Sequence, residues 1–256
     1  MASAVVECTR LFKPPVASVN LDPTVWAEGC GATVDWASGR PEIVDAGPGD
    51  PDPDVVMASA RTEAVLHAVE RVRGAVPGTP LGVGVPGPAT LAGMIGLSDA
   101  TSSSTQFAIG EVLSEATRAL CEAGVDLIVV MEDPALDEPD LRPWIAAGQV
   151  GRVMTIAGHY SSEVLLLAAG AEFSAESAEP LAGLDYFVAY DPTPAMNGCL
   201  TGRVLEGIGG LGEQDEVDVA AGSRDGAGFT TVAWDLPPTA DPAAVLRDIK
   251  TLREIS

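Results

Sequence analysis

The chain has 256 residues, a length that suits one large domain or two small ones. Hydrophobic residues make up 46% of it, which is enough for an ordinary packed core and too many for a disordered chain. With 37 acidic side chains against 14 basic ones the net charge is −23, so nucleic acid and anionic membrane are both repelled at long range.

In chain order, short apolar runs that end in polar or Gly/Pro residues predict buried parallel strands. They cover residues 16–21, 81–85, 125–131, 153–157, 186–190 and 230–234, with a weaker one at 171–175. Helices are expected between them. One runs from Asp54, as its cap, to about Val76, with Val55, Leu66, Val69 and Val72 on its apolar side, and stops at Pro77-Gly78. Another runs from Phe107 to Ala123 on a stripe of Ile109, Val112, Leu113, Ala116 and Leu120, ended by Gly124. Two more are expected over residues 162–169 and 242–255. Strands alternating with helices mean a mostly parallel α/β sheet with crossovers. Seven or so such units predict a TIM-type (β/α)8 barrel rather than an open sheet, and a barrel of roughly 250 residues takes residues 1–256 as one domain. Residues 45–54 and 207–228 are acidic, Gly-rich loops, either of which is a candidate lid.

Cys8, Cys30, Cys121 and Cys199 are scattered, with no C-x-x-C pair. Glu7 and Arg10 interrupt the first ten residues, so no signal peptide is expected there. Free thiols in a reducing cytoplasm are the simplest expectation. No apolar run approaches the roughly 20 residues of a membrane span.

Ligands of parallel β/α barrels bind at the carboxyl ends of the strands. The residues that follow the expected strands are therefore the candidates: Asp22, the run from Pro86 to Thr90, Glu132 and Asp133, His159 and Tyr160, Glu176, Asp191 and Asp235. Each has a plainer role beside the functional one. Asp22 can cap the helix that follows Pro23. Glu132 and Asp133 can be loop carboxylates. Asp191 and Asp235 precede prolines and can start turns. His159 follows an expected buried strand, where a polar ring is costly unless paired, which favours a site role. His67, the other histidine, reads as mid-helix and structural. The run from Gly82 to Gly87 only superficially matches a dinucleotide-binding loop, because Val85-Pro86 stands where the helix should begin, so no nucleotide cofactor is indicated.

The stretch Leu81-Gly82-Val83-Gly84-Val85-Pro86-Gly87-Pro88-Ala89-Thr90-Leu91 resembles a signature of the uroporphyrinogen decarboxylase and cobalamin-independent methionine synthase superfamily, in which a strand is followed by Gly-Pro and then Thr. Glu132-Asp133-Pro134-Ala135-Leu136 is similar to the methionine synthase strand end Asp-Glu-Pro-Ala-Leu, with the two acids swapped. Gly158-His159-Tyr160-Ser161 lies where methionine synthases carry a His-x-Cys-Tyr-Ser zinc segment, and Asp22 to Asp35 is similar to the decarboxylase segment after a substrate-binding aspartate. The resemblance spans about residues 16–250 and implies a divergent member, short at its N-terminus.

The resemblance implies methyl transfer to a small thiol or similar acceptor, with the thiol activated by zinc. A reduced zinc set would be His159, Glu176 and Cys199; Ala157 stands at the family's His position, and no cysteine stands near Asp235. His159, Tyr160 and Asp22 would be catalytic, and Glu132, Asp133, Asp191 and Asp235 would bind substrate. A decarboxylase-like lyase acting on a small substrate is the alternative, although only Arg10 precedes the match where those enzymes carry carboxylate-binding arginines. A barrel that has lost catalysis and serves as a binding or partner subunit is the third reading. One strand–helix unit is expected to be missing or rebuilt from residues 3–12, which predicts a homodimer or a partner protein to cover the exposed edge.

Overall fold

A computed structural model describes residues 1–47, 51–97, 99, 101–132, 142–168, 181, 183–189, 200–205 and 229–232. Helix α1 (Ala2–Phe12) leads into strand β1 (Ala17–Asn20) and the short helix α2 (Thr24–Gly29). A hairpin follows, β2 (Thr33–Asp35) paired antiparallel with β3 (Glu42–Asp45). The helix expected from Asp54 onward is two helices, α3 (Pro53–Met57) and α4 (Ala60–Ala75). Each has its own cap: the Asp52 carboxylate accepts from the Asp54 N–H at 2.9 Å, and the Ser59 hydroxyl from the Thr62 N–H at 3.3 Å. The second cap is what breaks the helix, and it leaves Val55 exposed rather than on the apolar stripe.

The chain continues through β4 (Leu81–Pro86), α5 (Pro88–Met94), α6 (Ser103–Glu122), β5 (Leu127–Glu132), α7 (Arg142–Ala146), α8 (Gln149–His159), β6 (Glu163–Ala168), β7 (Tyr186–Ala189), β8 (Leu200–Leu205) and β9 (Phe229–Val232). The stripe predicted for α6 is buried at all five positions. Its end is also as expected: Gly124 has φ 96°, and the Val125 N–H reaches back to the Leu120 carbonyl at 3.1 Å.

Seven strands form one parallel sheet in the order β1-β4-β5-β6-β7-β8-β9. Each sheet strand pairs with the next one in the chain. Among the described residues no pairing joins β9 back to β1. The strands separate two apolar layers, because successive side chains point to opposite faces. Ala17, Val19, Leu81, Val83, Val85, Ile128, Val130, Val164 and Leu166 pack with the helices. Val129, Met131 and Leu167, with Leu21, Leu127 and Leu165, form the layer on the other face. On β4 that second face carries Gly82, Gly84 and, at the strand end, Pro86. An added Cβ at Gly84 would stand 2.6 Å from Met131 Cε and 3.1 Å from Leu21 Cα, so glycine lets those neighbours close over the strand. The Gly-x-Gly run is thus a packing device within a strand.

Two neighbouring segments exchange the types expected of them. Residues 153–157 are not a strand but part of α8, whose Val150, Val153 and Ala157 are buried at helical spacing. The helix expected over residues 162–169 is replaced, over Glu163–Ala168, by β6, a strand with buried residues on both faces. Gly148 (φ 73°) begins α8 and Ser161 (φ 59°) turns the chain out of it, so the left-handed positions fix the boundary that a short apolar run leaves open. Residues 3–12 supply α1 and contribute no strand. The expected segments at 171–175 and 242–255, and the loop at 207–228, lie outside the described residues, and β8 forms where no strand is expected from the sequence. Among the described residues no helix is long and apolar enough to cross a membrane.

Replacing Gly84 by Ala is expected to cost about 1–3 kcal/mol, the usual range for overpacking a closed core. Urea unfolding would show it as a lower midpoint at unchanged slope; an unchanged midpoint would mean that Met131 simply swings aside.

Candidate functional site

The carboxyl ends of β1, β4 and β5 carry most of the described polar candidates, and the structure accounts for each. Asp22 follows β1 by two residues. Its Oδ1 accepts from the Thr24 N–H at 2.9 Å and the Thr24 hydroxyl at 2.7 Å, which holds the entry to α2. Its Oδ2 is paired with Arg61, the second residue of α4. Arg61 also reaches Glu28 Oε2 at 2.7 Å and Thr24 Oγ1 at 3.3 Å, and its guanidinium lies 4.9 Å from the centre of the exposed Trp36 ring. Asp22 therefore has the capping role and a charge partner as well. Composition and spacing do not mark Arg61 or Trp36; the one signal for Arg61 is its place in the first turn of a helix that starts at the same end of the sheet.

Glu132 ends β5 and is 2% exposed. It shares the helix-facing side with Ile128 and Val130 rather than the side of Met131. Its carboxylate accepts from the Ala89 N–H at 3.2 Å, the Thr90 N–H at 2.9 Å and the Thr90 hydroxyl at 2.7 Å, at the start of α5. Those donors satisfy a carboxyl group that would otherwise be costly to bury. A side chain at Gly87 would overlap that carboxylate, so the Gly-Pro-Ala-Thr run is the cradle of Glu132. Trp26, fully buried, donates its indole N–H to the Gly84 carbonyl at 3.1 Å and satisfies β4 just beyond the end of its β1 partner.

His159 and Tyr160 stand elsewhere. His159 ends α8 and Tyr160 is its C-cap, both exposed, just before β6 begins. They lie at the amino end of the sheet, opposite Asp22 and Glu132. This corrects the placement of His159 after a strand, and with it the idea that His159 and Tyr160 meet Asp22 at one mouth. The Tyr160 hydroxyl donates to Glu122 Oε1 at 2.9 Å, and that hydrogen bond, ahead of desolvation, raises the phenol above its ordinary range. Asp133, Asp191, Asp235, Glu176 and Cys199 lie outside the described residues. Among the described residues no three His, Cys, Asp or Glu side chains are grouped to hold a metal ion.

The described thiols are poor nucleophiles where they are buried. Burial pushes Cys30 up to about 12, and burial also raises Cys121. Cys8 is exposed on α1.

No protein-family model and no curated protein matches the chain. Solved structures do. A methyltransferase from Methanosarcina mazei is 17% identical, with a TM-score of 0.73 over all of this chain and 83% of that one. A B12-independent methionine synthase from Shewanella sp. W3-18-1 is 16% identical, with a TM-score of 0.49 over 74% of this chain and 65% of that one. A putative vitamin-B12 independent methionine synthase from Listeria monocytogenes is 14% identical, with a TM-score of 0.48 over 99% and 74%. At these identities the first likeness shows a shared fold, a parallel α/β sheet wrapped by helices.

Two outcomes follow from the buried groups. Glu132→Ala strands three donors and is expected to lower stability by about 3 kcal/mol, with Glu132→Gln costing less because one acceptor remains; equal, small losses in thermal unfolding would count against the cradle. The folded chain keeps the Cys30 thiol protonated, while the unfolded chain loses that proton above 9.0. Stability from this group is therefore present below that value and falls as pH rises, by about 1.4 kcal/mol at pH 10. Urea midpoints at pH 8, 9 and 10 should fall more steeply for the natural chain than for Cys30→Ala.

Proposed function

We propose that the chain is a methyltransferase-like enzyme that transfers a methyl group to a small thiol or similar acceptor at the carboxyl end of its parallel sheet. The observation that carries the reading is the agreement, over the whole chain, with the fold of the Methanosarcina mazei methyltransferase. Closure of the sheet into a TIM-type barrel belongs to the same proposal. It is supported by strands that pair strictly in chain order, the arrangement of a singly wound β/α barrel.

The parts divide as follows. Asp133, Asp191 and Asp235 each follow a strand in chain order and are the proposed substrate-facing carboxylates. Asp22 acts indirectly, by fixing Arg61 and the turn into α2. Glu132 fixes the start of α5. The apolar face of Leu21, Val129, Met131 and Leu167 supplies a dry wall, which strengthens any polar contact made beside it. Of the reduced zinc set only His159 is among the described residues, at the amino end of the sheet, while Glu176 and Cys199 lie outside them, so the set is kept apart from the carboxyl-end site proposed here. No step is assigned to zinc. A homodimer or partner protein is the proposed alternative to closure: in a sheet that stays open, it covers the edge of β1, which has one strand partner among the described residues.

A second reading has a specific observation in its favour. Asp22 and Glu132 are both engaged in internal hydrogen bonds, which suits a binding barrel that has given up catalysis.

Incubation with 13C-methylcobalamin or 13C-methyltetrahydrofolate and a panel of small thiols, followed by NMR of the methyl signal, separates the two. Methylated thiol, reduced at least tenfold by Asp133→Ala, is expected. No product with either donor favours the binding barrel. His159→Ala is expected to leave both product formation and metal content unchanged, and metal lost with that substitution would restore the zinc reading.

A further inference from the structure

We propose that the β2–β3 hairpin is a hinged flap beside the carboxyl end of β1, held shut by the stack of Trp36 on Arg61. The feet of the hairpin are Gly31 (φ 95°) and Gly47 (φ 76°), both in the left-handed region. They meet: a side chain at Gly47 would overlap the Gly31 carbonyl, so the hairpin leaves the body through a narrow neck. Two glycines at one neck form a hinge of the kind that absorbs large backbone changes.

Above the neck the hairpin is thinly attached. Between the two feet only Ala32 is buried, and Val34, Pro41, Ile43 and Ala46 are half-buried; every other residue is exposed. Val34 and Ile43 are register partners, so the pair forms a single apolar heel on one side of the ribbon. An element with so few buried contacts belongs to the low-stability end of a structure and opens before the core does.

The tie at the free end is different in kind. Trp36 follows β2 directly and is 53% exposed, yet its ring meets the Arg61 guanidinium at 4.9 Å. Arg61 is a fixed post, because Asp22 and Glu28 grip it from α2 and its approach. The flap is thus latched to the group that stands at the end of β1. A cation–π contact at an exposed site is worth about 0.5–1 kcal/mol, enough to bias closure and weak enough to release it. The flap's value as a gate rests on the carboxyl-end site proposed above, but the latch itself does not depend on methyl transfer.

Hydrogen exchange of the free protein, read by mass spectrometry, tests the latch without any substrate. In the natural chain the hairpin amides should exchange faster than those of β4 and β5. Trp36→Ala, an exposed substitution that leaves the core intact, should speed hairpin exchange about two- to fivefold while β4 and β5 stay unchanged. Arg61→Lys keeps a charge between Asp22 and Glu28 but loses the flat face, and should do the same to the hairpin. Hairpin exchange that is unchanged in Trp36→Ala, or an acceleration that spreads to β4 and β5, overturns the proposal. A working latch in a protein that methylates no thiol would leave the flap standing and remove only the proposed reaction.

Discussion

A buried carboxylate is the constraint on which this end of the fold depends. Glu132 closes a central strand with a carboxyl group that solvent does not reach, and the start of α5, directly over it, supplies donors to that group. The requirement propagates backward through the sequence. Thr90 must offer both its N–H and its hydroxyl, Pro88 starts the helix without needing a donor, and Gly87 must lack a side chain. One interaction thus ties the ends of β4 and β5 to each other. It also explains why a Gly-Pro-Ala-Thr run and a strand-end acid occur in one chain without any appeal to a ligand.

Arginine does comparable work at both ends of the sheet. At the carboxyl end Arg61 joins the approach to α2, the start of α4 and the hairpin. At the amino end Arg73 caps the Gly124 carbonyl, pairs with Asp126 and reaches the Thr79 carbonyl, while Asp126 accepts the Leu81 N–H at 2.7 Å. The two arginines lie on one helix, near its first and last turns, so α4 fastens its neighbours at top and bottom. Each bridges chain segments far apart in sequence, which is the kind of link a helix stripe alone cannot make.

The parts of this structure that sequence made legible are those with strong periodicity or unambiguous punctuation. The long stripe of α6 and its Gly124 stop are examples, as are the apolar runs of β4 and β5. The exchange between α8 and β6 shows the limit. Val153–Ala157 and the run after Ser162 are both short, apolar and β-branched in part, and nothing in their composition says which one spans the sheet. The left-handed Ser161 decides it, and a serine does not advertise that conformation. The consequence reaches the site, because a strand ten residues further along places His159 before it, at the end of the sheet opposite the mouth. Glu132 shows a second limit. Its position after a strand was correct, but a strand-end residue faces either the helices or the other layer, and the register that decides between them is a tertiary fact.

The charge of the chain bears on what the carboxyl end can hold. Asp22 and Glu28 share the single cation of Arg61, so that group is left with a net negative charge, in a protein that is already at −23. An anion arriving there would meet repulsion from the surface and an arginine with two carboxylates in place, and it would have to break strong charge-assisted bonds to gain one. A neutral or cationic molecule meets neither barrier, and the neighbouring layer of Leu21, Val129, Met131 and Leu167 offers it an apolar wall. A polycarboxylate collected by arginine forks would find Arg61 already engaged, because it holds Asp22 and Glu28 and with them the turn into α2.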